Sequence, residues 1–542
     1  MFKKIFVISV LLSLNSYAEV TSDSSNVETV VNFNNNNFEI SKGLQEGRNL
    51  FHSFDKFSID SGQTATFTTK GVSGSVNNIL SRVTGNNSSK IYGGIISEIP
   101  NANLYLMNPN GIIFGEGASL DLQGSFHATT ANYLQLGNND FFYAKLDENS
   151  TFTTANLIAF GFLDNPQSIT INGSELTVPD EKTLSIIGGD LEIKNSLLYV
   201  HSGRINLVSI ASEGTVEQDS LNINASQKGK IIISRFLEYE KKPVNNNDEF
   251  LILGIDEYGD PYPAEYNDID VSNYTNIADA GQIFIRGGKL LIEKAGLLAD
   301  TYDYDGEPKE NTGIDIEITG DIELIDNAVI TADNRQIDVE EKSGDIKITA
   351  ENLIFSQTEE YFEDSRDFIN EYLGLISTDS FGPGTAGNIN IKLGGLLDLN
   401  PGGILSIAQS DYIEGNGGNI DIKAREIIIQ NNGMISADTF GENAGDINII
   451  ATDSIYLVDT YIYEEIIDKT GGISSCACEE DSFGLGGNIK LKTPNLILDY
   501  AEIGVYSYSE GDAGSIDIEA DMVSLNKSGF YAESINAGGG NI

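Results

Sequence analysis

Along most of this chain apolar residues alternate with polar ones in short runs, and many of those runs open on a glycine. The unit is Gly-x-apolar-x-apolar. It appears as Gly189-Asp-Leu-Glu-Ile, Gly203-Arg-Ile-Asn-Leu, Gly229-Lys-Ile-Ile-Ile, Gly281-Gln-Ile-Phe-Ile, Gly344-Asp-Ile-Lys-Ile, Gly387-Asn-Ile-Asn-Ile, Gly418-Asn-Ile-Asp-Ile, Gly445-Asp-Ile-Asn-Ile, Gly487-Asn-Ile-Lys-Leu, Gly514-Ser-Ile-Asp-Ile and Gly540-Asn-Ile542. Gly313 begins a variant one residue out of phase. A period of two predicts strands with one face buried, so Ile389 and Ile391 should point inward while Asn388, Asn390 and Lys392 point out.

From Gly387 the anchors fall 31, 27, 42, 27 and 26 residues apart. Between them lies another apolar strand and then a segment such as Met434-Ile435-Ser436-Ala437. Three short strands joined by Gly or Asn corners make one coil of a parallel β-solenoid. A doubly wound α/β protein also has parallel strands, but its crossover helices need a period of 3.6, which these gaps lack. The longer gaps carry acidic, Tyr-rich inserts instead, at 356–374 (here with room for a short helix) and 458–481. The expectation is an all-β, right-handed, single-stranded parallel β-helix of about 20 coils, a rod on the order of 100 Å long.

Charge changes the picture by exclusion. The chain has 542 residues, 32 Lys plus Arg and 81 Asp plus Glu, a net charge of −49. Nucleic acid and anionic membrane surfaces, which need clustered positive charge, are therefore poor partners. The N-terminus predicts a secretory signal peptide: Lys3 and Lys4, an apolar core from Ile5 to Leu14, and Ser16-Tyr17-Ala18 with cleavage after Ala18. Two cysteines, Cys476 and Cys478, cannot build a disulfide scaffold and suit either two thiols or a local loop closure at an exposed tip.

One stretch breaks the alternation. In Leu-Met-Asn-Pro-Asn-Gly-Ile-Ile-Phe-Gly, residues 106–115, four turn formers sit between two apolar runs. Pro109 presets φ near −65°, and Asn110 or Gly111 tolerates the left-handed region, so a sharp corner is predicted.

With that corner come, in order, "NLFHSFDKFSIDSG" (49–62), "NNILSRVTGNNSSKIYGGI" (77–95), "ANLYLMNPNGIIFGEGASLDLQGSFHATTANYL" (102–134), "FGFLDNPQSITINGSELTV" (160–178) and "KTLSIIGGDLEI" (182–193). Residues 30–215 resemble the N-terminal secretion domain of filamentous-haemagglutinin-type exoproteins, the passengers of two-partner secretion in Gram-negative bacteria. The resemblance makes Asn108, Pro109, Asn110, Gly111 and Ile112 the secretion motif. A second family signature, Asn-Pro-Asn-Leu, is not found in this chain, and "NFNNNNF" (32–38) is no clear substitute. The resemblance implies export through the periplasm, recognition by periplasmic domains of a dedicated outer-membrane β-barrel transporter, and progressive folding at the cell surface.

The residues themselves offer little chemistry. His52, His127 and His201 are the only histidines. His127 with Ser125 and Asp121 could be imagined as a nucleophilic set, but strand alternation gives the same spacing. Asp315, Asp345, Asp421, Asp446 and Asp517 recur near the anchors as an outward ladder, with Asn388 and Asn488 as spacers. They would suit a polysaccharide-acting face only if two acids converge. "DEYGDPYPAEYNDID" (256–270) and "DYDGE" (303–307) offer oxygen ligands without a calcium-loop pattern. Tyrosines in "YLVDTYIYEEI" and "DYAEIGVYSYSE" suit either a glycan-binding surface or packing on their own coil.

The expected organisation is a signal peptide (1–18), a secretion domain (19–215) and an acidic β-helix repeat region (216–542) that stops in mid-repeat. The expected function is an extracellular adhesin or rod-like stalk, monomeric, non-enzymatic, with no cofactor and no metal, binding a host or cell-surface glycan or protein. The alternatives are a β-helix polysaccharide-acting enzyme and the N-terminal part of a haemolysin or contact-dependent toxin.

Overall fold

The computed structural model describes residues 19–235, 269–274, 279–302, 313–336, 342–357, 374–409, 415–460, 472–479 and 483–542. The signal segment with Ala18, residues 303–307 and most of 256–270, 356–374 and 461–471 lie outside them.

The chain winds as a parallel β-helix with three faces, and no helix occurs among the described residues. The first face stacks Asn49–Ser58, Asn78–Val83, Asn103–Met107, Phe126–Thr129, Thr183–Gly188, Arg204–Ser209, Gln282–Gly287, Gly313–Ile318, Asp345–Ala350, Ile389–Leu393 and the first halves of Ile420–Gln430, Ile447–Val458, Ile489–Asp499 and Ile516–Asn526. The second face begins at Ser89–Ile91 and Ile112–Phe114 and ends in the second halves of those long strands. The third runs from Asn37–Lys42 through Thr64–Phe67, Gly94–Ser97 and Ser119–Asp121, and resumes from Glu175–Thr177 to Gly529–Ser534.

The alternation is as expected. Ile389 and Ile391 are buried, Asn390 and Lys392 exposed, and Ile314, Ile346, Ile389, Ile420, Ile447, Ile489 and Ile516 register one above another. Gly313 pairs with Gln282 rather than with Gly281, the predicted phase shift.

Two expectations need correction. The tallest stack holds fourteen strands among the described residues, about 60 Å at the interstrand spacing rather than about 100 Å. Part of the chain that would have made further coils is diverted: between Thr129 and Thr183, and again between Ser209 and Lys230, it forms an antiparallel sheet outside the solenoid. And the glycine pattern marks two faces. Gly189 and Gly229 open second-face strands, whereas Gly203 and the anchors from Gly281 on open first-face strands.

The recurrence of glycine has a direct cause. A Cβ on Gly418 would lie 1.9 Å from the carbonyl oxygen of Gly387, one on Gly445 1.9 Å from that of Gly418, and one on Gly514 1.9 Å from that of Gly487. Successive coils touch backbone to backbone at this corner, which only glycine permits. The residue after each anchor ties the same coils together. Asp345, Asn388, Asn419, Asp446 and Asn488 each accept, through side-chain Oδ1, the backbone N–H of the equivalent residue one coil on, at 2.8–3.1 Å.

Candidate secretion site

The strand Asn103–Met107 leaves the first face and the strand Ile112–Phe114 enters the second, so the Asn-Pro-Asn-Gly segment is a solenoid corner. Its turn is closed by the Gly111 N–H donating to the Asn108 carbonyl at 3.1 Å. Gly111, at φ +103°, takes the left-handed position and Asn110 does not. Asn108 is fully buried, and its amide is fully used. Nδ2 donates to the Asn87 carbonyl (3.0 Å) and to Ser89 Oγ (2.9 Å), while Oδ1 accepts from the Asn110 backbone N–H (3.0 Å) and Asn110 Nδ2 (3.1 Å). Asn110 Nδ2 also reaches the Gly85 carbonyl at 2.8 Å. The two asparagines thus weld this corner to the preceding one, satisfying backbone groups that a turn would otherwise bury unpaired. Ile112 continues the weld in both directions, paired with Ser89 before it and Ile169 after it.

Two parts of this N-terminal region do not follow from the alternation along the strands. One is a cap over the first coil: Glu19–Ser22 runs antiparallel to Asn49–Ser58, and Thr29–Asn34 forms a hairpin with Asn37–Lys42. "NFNNNNF" is that hairpin's turn, with Asn35 and Asn36 at φ +50° and +60°, the combination a two-residue connection favours. The other is an antiparallel sheet outside the solenoid, made of Tyr133–Leu136, Asp140–Tyr143, Leu157–Phe162, Gly214–Glu217 and Ile223–Ala225. It packs over the first face and forms a second core with Phe51, Leu80, Tyr105, Met107, Leu134, Phe142 and Phe160. The signal was present in the unbroken apolar run "NLYLM", since a strand buried on both faces does not alternate.

The histidines divide by side. His52 points inward, against Phe54 and Phe67, with Nδ1 3.3 Å from Thr29 Oγ1. His127 points outward beneath the added sheet, stacked on Tyr105 at 4.3 Å. Burial pushes both imidazoles down to about 3, so they are neutral at physiological pH. His201 is buried at a corner, with Nδ1 3.8 Å from Asp180 Oδ2. The imagined nucleophilic set does not assemble: Asp121 lies on the third face, and Ser125 Oγ accepts the Thr183 N–H at 3.0 Å.

The recurring aspartates form two rows. Asp345 and Asp446 belong to the backbone-accepting ladder, while Asp315, Asp421 and Asp517 lie in the outward row Asp315–Lys347–Asn390–Asp421–Asn448–Lys490–Asp517. No two acids are neighbours in that row, so like charges are separated by Asn or Lys and no catalytic pair converges. Cys476 and Cys478 are bonded to each other, but Cys476 is buried in the third face rather than at an exposed tip. Tyr506 and Tyr508 stack at 6.4 Å against their own coil, with Tyr506 lying across Gly504.

The fold and this region define a class: a parallel β-helix whose first coils are capped and carry an antiparallel sheet outside the solenoid. The family model described as "TPS secretion domain" matches residues 18–242. The N-terminal part of the chain is therefore the secretion domain of a two-partner secretion exoprotein. A curated relative, the heme/hemopexin-binding protein of Haemophilus influenzae (strain ATCC 51907 / DSM 11121 / KW20 / Rd), is 22% identical over 280 residues, covering 48% of this chain and 29% of the relative. The chain thus spans less than a third of that relative's length. The crystal structure of the HMW1 secretion domain from Haemophilus influenzae covers 80% of this chain and 94% of its own, at 18% identity and a TM-score of 0.47. Exoproteins of this family reach the extracellular space or cell surface by way of an outer-membrane transporter partner.

Proposed function

We propose that the chain is a two-partner secretion passenger that acts outside the cell as an adhesin or rod-like stalk. Its leader is cut after Ala18, the secretion domain runs from residue 19 past the expected boundary at 215 to the end of its packed sheet at Ala225, and the acidic rod follows. Periplasmic domains of the β-barrel transporter read the N-terminal domain, and Asn108, Pro109, Asn110, Gly111 and Ile112 are its motif. The observation that carries the reading is the family match over residues 18–242, within which this motif forms a solenoid corner tied by Asn108 and Asn110 to the preceding corner. Outward rows of alternating Asp, Asn and Lys support a solvated rod that presents many weak contacts to a glycan or protein receptor, giving avidity without a single strong site.

The test is secretion of the full chain in a bacterium with and without the candidate barrel, with Asn108→Ala and Asn110→Ala beside the native sequence. Loss from the medium with periplasmic accumulation is expected when either the barrel or the asparagines are removed. Unchanged release without the barrel would overturn the reading. Asn108→Ala also strands Asn87, Ser89 and Asn110 partners, and should cost roughly 1–3 kcal/mol in urea unfolding.

A further inference from the structure

The first coils and the later coils solve different problems. From Gly313 on, outward first-face residues such as Asp315, Lys347, Asn390 and Asp421 are polar and need no cover. In the first coils the same positions hold Phe51, Leu80 and Tyr105, all buried. What covers them is distant in sequence. Phe51 meets Phe142 at 5.0 Å and Phe152 at 5.1 Å, and Asn49 Nδ2 donates to the carbonyls of Thr153 (2.9 Å) and Ala155 (2.8 Å).

Arg82 joins these pieces. Its guanidinium is buried over the Phe142 ring at 4.8 Å. Nη1 donates to the Tyr143 carbonyl (2.6 Å) and Ser150 Oγ (2.9 Å), both in the added sheet's hairpin region, and Nε donates to Ser53 Oγ (2.7 Å) on the first face. Ser53 Oγ in turn donates to Asp23 Oδ2 in the cap, which also accepts from Thr84 Oγ1 at 3.0 Å. One buried cation thus connects the outer sheet, the solenoid and the cap, and a cation left there without its acceptors would be costly to bury.

We infer that Arg82 is a latch that makes closure of the outer sheet and of the N-terminal cap a single event. The secretion domain then folds as one unit only when the chain through Ala225 is available, because Gly214–Glu217 and Ile223–Ala225 complete the outer sheet. The coils from Gly313 onward add afterwards, each on the edge of the last, since their described first-face strands pair only with the coil before and the coil after. The meaning of this for export rests on the secretion reading; the latch itself does not.

The test is refolding of the full chain from urea without any transporter, read by pulsed hydrogen exchange. In the native sequence, amides of Asn49–Ser58, Asn78–Val83 and Asn103–Met107 should gain protection in the same phase as Leu157–Phe162, ahead of the strands beyond Gln282. In the folded chain, Ser150→Ala should speed exchange in the outer sheet and also in the cap strand Glu19–Ser22, which Ser150 does not touch, by about tenfold or more in both. Arg82→Lys, which keeps the charge and loses the fork, should do the same. Protection of the first three strands before the outer sheet would overturn the inference. So would a Ser150→Ala effect confined to the outer sheet, or no effect in either place. A failed secretion assay leaves this result standing, and the reverse holds as well.

Discussion

At the scale of single residues, the glycine anchors and the ladder beside them explain why the repeat is strict where it is strict. The carbonyl of one anchor fills the space a Cβ would occupy on the next, so Gly445→Ala must push two coils apart along the whole corner. We expect a loss of more than about 2 kcal/mol, at the upper end for overpacking, because the obstacle is backbone and not a movable side chain. Gly94→Ala is the matched control: its nearest neighbour is the Thr64 methyl at 3.2 Å, and φ there is ordinary. Urea unfolding of the two variants side by side should show a large shift for the first and a small one for the second. The anchor glycines were legible in the sequence, but their reason was not, since it lies in the neighbouring coil.

At the scale of the element, the third-face corner carries a buried acidic ladder that no local pattern announced. Asp333 N–H donates to Asp300 Oδ1 at 3.0 Å, Asp379 N–H to Asp333 Oδ1 at 2.8 Å, and Ile407 N–H to Asp379 Oδ1 at 2.8 Å. Arg335 bridges Asp300 (3.0 Å) and Asp333 (2.8 Å), and lies between the rings of Tyr302 and Phe381. Burial pushes the Asp333 carboxyl up to about 8 against the lowering by Arg335, and pushes Asp379 up to about 6. A carboxyl raised on folding contributes stability that is full below the unfolded value near 3.9 and is lost as pH rises through the folded value. The corner should therefore weaken between about pH 4 and 8. His52 and His127 work the other way: with folded values near 3, below the unfolded 6.5, they withdraw stability as pH falls through that interval. Arg335→Met leaves buried carboxylates without their cation, roughly 3–5 kcal/mol when they are ionised. Thermal unfolding at pH 6 and pH 8 should show a larger penalty for this variant at pH 8; an equal penalty at both would mean the corner does not titrate there.

At the scale of the whole molecule, charge and topology set the behaviour. Residues 1–200 hold 19 acidic and 11 basic side chains, a balance of −8, which leaves −41 of the total −49 on the remainder. Within the first-face row the acids are spaced by Lys and Asn, so the excess repels over longer distances, which salt screens with a Debye length of about 10 Å at 0.1 M. The unfolding temperature should rise between low salt and about 0.3 M sodium chloride, and more for the strands beyond Gln282 than for the secretion domain when exchange is read strand by strand.

What the sequence by itself determined follows from interactions that are local or repeat at a fixed register. The alternation of Ile389, Asn390 and Ile391, the phase slip at Gly313 and the corner at Asn108–Gly111 each depend on a handful of consecutive residues. Parallel stacking then reproduces the inward isoleucine column without further information. What only the tertiary structure decided depends on residues far apart in the chain. Whether His52 faces in and His127 out, which face Gly189 opens, how the aspartates sort into two rows, and what covers Phe51 and Tyr105 are all set by which coil or added sheet comes to lie against them. A period of two says that a side chain leaves one side of a strand, and is silent on what waits there.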